Sequence, residues 1–321
     1  MTQFKKGLFT RNLMATAILA PMMIVAGCSD NDGSPLPPGE TPSGVSDGVV
    51  YDGYLVGATV CVDENLNKTC DVGEPSTTTG AGGQFSLVGL TDAQLLTPLV
   101  LESNESTIDE DTGAQADPNL KFLAPAGSTA ISGFSTIIQM KVESALAAGS
   151  TATLAQLKAD AASELATELG VSVDLTTYDP IAAFTSASGS DKRTAAELHL
   201  INQVLSAQIV DLIADVDVVL ESNPDLSETA AFGALVESLI PANVAAVVQE
   251  FSDGGATAND LDGYNAETIM SSGSGTYEAP AAPDAQAIDE QATQDAAAQA
   301  ELEDAITTEE PPTGATGGTG S

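Results

Sequence analysis

The run Asp63-Glu64-Asn65-Leu66-Asn67-Lys68-Thr69-Cys70-Asp71-Val72-Gly73-Glu74 carries oxygen donors at calcium-loop spacing. Asp63, Asn65 and Asn67 stand at positions 1, 3 and 5, and the Thr69 carbonyl serves position 7. Asp71 stands at 9 and Glu74 closes the loop at 12. A hard cation takes about six to eight oxygens, and this segment offers about that many. One position departs from the pattern. Lys68 occupies the sixth place, where glycine normally permits a sharp bend, so either the backbone angle is unfavourable or the path differs. The expected affinity is that of a weak extracellular module, on the order of millimolar. The competing reading is an acidic hairpin held by cysteines alone. A strand pattern, not a helix, leads into Asp63, so no helix-loop-helix is implied.

Two of the three cysteines, Cys61 and Cys70, flank this loop. An even pair in an oxidising compartment points to a disulfide. A metal pair or a redox pair competes, but the spacing is not C-x-x-C and no further soft ligand is at hand.

The compartment follows from the amino-terminal segment. Lys5, Lys6 and Arg11 precede an apolar run from Leu13 to Val25, and Val25-Ala26-Gly27-Cys28 closes it. This resembles a bacterial lipoprotein signal. The resemblance implies cleavage before Cys28, a diacylglycerol thioether on its sulfur and an acylated new amino terminus. Acyl chains contribute about 0.8 kcal/mol per buried CH₂, so the membrane partner is met through lipid. A spanning anchor competes, yet the run falls short of about 20 residues and contains Pro21. Ser29 follows the cysteine and no Asp stands there to mark inner-membrane retention, so the expected address is the outer membrane, on either face.

Formal charge is −37. The signal holds three of the nine Lys and Arg, leaving six against 46 Asp and Glu. Such a chain excludes nucleic acid or anionic lipid bound by charge and favours cations or general surface acidity. Trp is absent, which removes the stacked-indole platform of many carbohydrate binders.

Patterning predicts an α+β chain: a small N-terminal antiparallel β-sandwich, then an α-helical bundle, with a disordered linker and tail. Residues 1–27 form the signal, and 28–47 a Pro/Gly/Ser tether. Residues 48–126 hold short β-rich runs: 49–51, 54–56, 58–62, 84–87, 98–101 and 120–123. Residues 127–252 carry helical stripes. One includes Phe134, Ile137, Ile138 and Val142. Another runs from Leu154 to Leu169 before Gly170. A third spans Ala195 to Leu220, and a fourth Thr229 to Phe251. Residues 253–321 form an acidic low-complexity tail, with a loose helix over 279–306.

The segments 52–63, Gly73-Glu74-Pro75-Ser76-Thr77-Thr78-Thr79 and Gly83-Gln84-Phe85-Ser86-Leu87 resemble the carboxypeptidase regulatory-like (transthyretin-like) and SdrD B-like modules of bacterial surface proteins. Residues 107–113 and 123–142 resemble the continuation found in lipoproteins carrying that module. The resemblance implies a calcium-stabilised β-sandwich serving as a spacer or adhesin stalk.

Catalysis is not expected. The lone histidine, His199, lies in a helical run and is read as a surface or boundary residue. No G-x-S-x-G elbow or phosphate loop accompanies it. The expected function is a non-enzymatic, membrane-tethered envelope lipoprotein acting as a structural or binding module, stabilised by calcium. The alternative is a carrier or accessory lipoprotein for an apolar ligand or an uptake or secretion partner.

Overall fold

The computed structural model describes residues 44–222, 231–232 and 285–309. Cys28 with its signal, nearly all of the fourth helical run and most of the tail lie outside them. Ten strands occur among the described residues: β1 (Gly44–Val50), β2 (Leu55–Val56), β3 (Thr59–Val62), β4 (Ser76–Thr78), β5 (Gln84–Leu90), β6 (Leu99–Glu102), β7 (Ile108–Asp109), β8 (Ala114–Gln115), β9 (Lys121–Ala124) and β10 (Ala130–Ile131). They are accompanied by helices α1 (Asp92–Leu95), α2 (Gly133–Ala147), α3 (Leu154–Glu168), α4 (Pro180–Ser186), α5 (Gly189–Ser222) and α6 (Ala285–Thr308).

The strands form three small sheets, ordered β10-β1-β5, β2-β7-β8 and β4-β3-β6-β9. Val60, Cys61 and Val62 of β3 are all buried, as are Leu99, Val100 and Leu101 of β6. Continuous apolar runs of this kind mark strands covered on both faces. The expected wholly antiparallel arrangement does not hold. Ala130 and Ile131 pair with Val49 and Val50 in parallel, so the first sheet is mixed. Gly48 makes that approach possible, since a Cβ there would collide with the Thr129 carbonyl. Residues 44–47, expected in the tether, belong to β1, where Gly44 pairs with Leu90.

The helices start where capping chemistry dictates. Ser132 and Ser135 form a reciprocal capping box at α2. Asp179 accepts from the Ile181 and Ala182 amides at 3.0 Å each, with Pro180 in the first turn of α4. Gly170, at φ 68, follows the end of α3.

The expected boundary at residues 126–127 is not a break in the core. Helix α2 packs on β9 and β10, and one continuous apolar cluster runs from Val50 through Phe122, Phe134 and Leu165 to Leu302. The described residues all belong to a single compact unit. The architecture is therefore mixed α and β, with helices sharing the strands' core. The physical reason is that a few two- to seven-residue strands expose too much apolar surface to stand without the stripe of α2.

Candidate functional site

The loop after β3 closes on itself through its own side chains. Asp63 Oδ1 accepts from the Asn67 amide at 2.9 Å, and Asp63 Oδ2 from the Lys68 amide at 2.9 Å. Asn65 Nδ2 and Asn67 Nδ2 donate to Asp71 Oδ2 at 2.8 and 2.7 Å. Glu74 spans the mouth, accepting from the Glu64 amide through Oε1 and the Asp71 amide through Oε2, both at 2.9 Å. Asp63, Asn65, Asn67, Asp71 and Glu74 thus meet in one hydrogen-bonded ring. The Thr69 hydroxyl accepts from Lys121 Nζ at 3.0 Å, a half-buried contact.

Lys68 does what glycine would do at the sixth position. Its φ is 60°, and Leu66 two residues earlier has φ 57°. The left-handed region costs roughly 1–2 kcal/mol for a residue with a Cβ. An ion pair offsets that cost: Lys68 Nζ lies 2.8 Å from Glu143 Oε2 on α2, with the two side chains 4% and 9% exposed. Glu143 Oε1 accepts in turn from Gln139 Nε2 at 2.7 Å. The ammonium is therefore paired with Glu143 of α2.

Other elements fix the rim. Cys61 and Cys70 are joined as a disulfide with an S–S distance of 2.06 Å, tying β3 to the returning limb. Gln94 Nε2 donates to Glu64 Oε1 at 2.7 Å, and Gln299 Nε2 of α6 donates to the Leu66 carbonyl at 2.5 Å. Burial pushes the Asp63 carboxyl up to about 6, against the two amides that favour its charged form. The Asn65 and Asn67 amides hold Asp71 below its ordinary value.

The donor set fits a hard, oxygen-seeking cation better than a soft one. Among the described residues no three His, Cys, Asp or Glu side chains gather as a metal-type group. The ring instead alternates carboxylates with amides. To meet a cation, Asp71 would exchange two amide donors for the ion, while each Asn Oδ1 keeps its backbone amide and offers a second lone pair.

His199, read from sequence as a surface or boundary residue, is 20% exposed and meets two acceptors through Nε2, the Asp52 carbonyl and Asp111 Oδ2. Its partners Asp52 and Asp111, and Ser206 beside Asp52, formed no motif in the sequence. Only the Asp52-Gly53 turn signal and the acidic run at 109–111 hinted at polar crowding there.

No family model, curated protein or solved structure matches this chain. Among the described residues no helix is long and apolar enough to cross a membrane.

Proposed function

We propose that this protein is a non-catalytic, lipid-anchored envelope protein whose folded part is a structural or binding module braced by calcium. The observation that carries the reading is the convergence of Asp63, Asn65, Asn67, Asp71 and Glu74 on one ring, with Lys68 in the left-handed bend that glycine usually supplies. The sequence context of Cys28 supports lipidation, and Ser29 after it supports an outer-membrane address. The resemblance to carboxypeptidase regulatory-like and SdrD B-like modules supports a spacer or adhesion role. Membrane fractionation of wild type and Cys28→Ala tests the anchor: the wild type should sediment with outer membrane and the variant should be released. Retention of the variant on the membrane would end the lipid reading. Calorimetric titration of the full chain with calcium tests the brace.

A carrier role has one observation in its favour. A groove of about 560 Å³ runs beside α3, lined by Lys158, Ala162, Ala166, Val171 and Thr176. Native mass spectrometry of gently extracted protein separates the two readings, since a carrier should retain a small apolar molecule.

A further inference from the structure

The turn joining β1 to β2 is gripped from three sides. Tyr51 and Tyr54 bridge across it, leaving Asp52 and Gly53 at its tip. From α5, Asn202 Nδ2 donates to the Tyr51 carbonyl at 3.1 Å and His199 Nε2 meets the Asp52 carbonyl at 2.9 Å. From the β7–β8 hairpin, Asp111 Oδ2 lies 2.9 Å from the same Nε2. Gly53 packs so closely on this hairpin that a Cβ would collide with Asp109 Oδ1. From α4, Asp179 Oδ2 accepts from the Tyr54 hydroxyl at 2.8 Å. Both neighbours of His199 Nε2 are acceptors, so that nitrogen carries its hydrogen in either charge state, and the ring titrates at Nδ1.

Within this grip Asp52 Oδ1 is cut off from solvent and has no hydrogen-bond partner among the described residues. With one oxygen buried and without a donor, and with Asp109 and Asp111 facing it, the carboxylate is costly to ionise and tolerable when protonated, even with Ser206 donating to the group. We infer that Asp52 and His199 form a proton-dependent clamp that holds α5 to the β1–β2 turn and the β7–β8 hairpin, tight when both are protonated and loosened as they lose their protons.

The charges facing the pair act in one direction. Burial raises Asp52 to about 7; Asp109 and Asp111 add to the rise, while Ser206 and His199 oppose it. Burial pulls His199 down, but Asp111 and Asp52 outweigh it, and its net shift is upward. Asp179 faces Tyr51 and Tyr54, and it strengthens the acidic field on the turn. The Glu110 carboxylate, also on the hairpin, is turned toward the Gly82 amide. A group whose pKa rises on folding contributes stability below its unfolded value and loses it as pH climbs through the folded one. For Asp52 that window runs from its ordinary 3.8 to about 7, and His199 extends it above 6.5.

Urea unfolding of the full chain, wild type against Asp52→Asn, from pH 5 to pH 9, tests the clamp. The ratio of wild-type to variant unfolding constants should rise about tenfold per pH unit between pH 5 and 7, then flatten. Comparison with the variant cancels the pH dependence that the acidic surface imposes on both. His199 is the sole histidine, so its proton resonance is unambiguous in the wild type even where the variant fails to fold. Its midpoint should lie above 6.5. A ratio that stays constant with pH, or a histidine midpoint at or below 6.5, overturns the clamp.

Discussion

Lys68 and Glu143 form a buried ion pair at 2.8 Å between the sixth position of the Asp63–Glu74 loop and the middle of α2. Removing one partner of a buried pair leaves an uncompensated charge, at a cost of about 3–5 kcal/mol. Lys68→Gly relieves only about 1–2 kcal/mol of left-handed strain. The variant should therefore be less stable than wild type, although from sequence alone glycine looks like an improvement. Lys68→Gly with Glu143→Leu should recover most of the loss. Urea midpoints of the single and double variants check this, and a more stable single variant would show that the pair contributes little.

The brace should be visible as calcium-dependent melting of the full chain. The full chain is the right object because the strands share their core with α2. With calcium at ten times the dissociation constant, binding to the native state adds about 1.4 kcal/mol. For a chain of 321 residues that corresponds to a rise of about 2 °C. Asp71→Asn and Glu74→Gln should each abolish the rise, and magnesium should do little because it demands tighter octahedral geometry. Equal melting temperatures in calcium and chelator would leave the loop as an acidic hairpin.

Reduction of Cys61–Cys70 should lower stability by about 2–3 kcal/mol, the loop-closure value for so short a segment. A disulfide offers no thiolate, so alkylation of the unreduced protein, denatured to expose the buried Cys61, should label neither sulfur. Two reactive thiols in exported protein would contradict the bond.

Asn202 joins three elements at once, accepting from the Gly133 amide at 3.0 Å while donating to the Tyr51 carbonyl. It is completely buried, so Asn202→Ala strands one donor and one acceptor at about 1–3 kcal/mol each. Asn202→Ala should lower the urea midpoint, and hydrogen exchange should quicken at Gly133. Unchanged exchange there would show that water or a neighbour replaces the side chain.

Features written within a few neighbouring residues were legible in the sequence. The six strand runs each overlap an observed strand, and α3 ends before Gly170 as its apolar period and glycine stop dictate. Cysteine parity identified Cys61–Cys70, because only two cysteines remain once Cys28 is assigned to lipid. The order of oxygen donors from Asp63 to Glu74 was equally visible. Strands β4, β7, β8 and β10 were missed: three have only two residues, and β4 is Ser-Thr-Thr with no apolar alternation to detect.

Tertiary structure alone decided how these pieces share work. Lys68 looked like a defect in the loop until α2 brought Glu143 to it across 75 positions of chain. His199 is separated from Asp52 by 147 positions, and Gln299 from Leu66 by 233. The parallel pairing of β10 with β1, which draws the strands and helices into one core, likewise joins residues some eighty positions apart. Periodicity, caps and turns are set by steric and hydrogen-bonding preferences over a few residues, so a sequence displays them directly. A buried charge finds its partner only when distant segments are packed together, and that choice rests on the desolvation cost of leaving it alone.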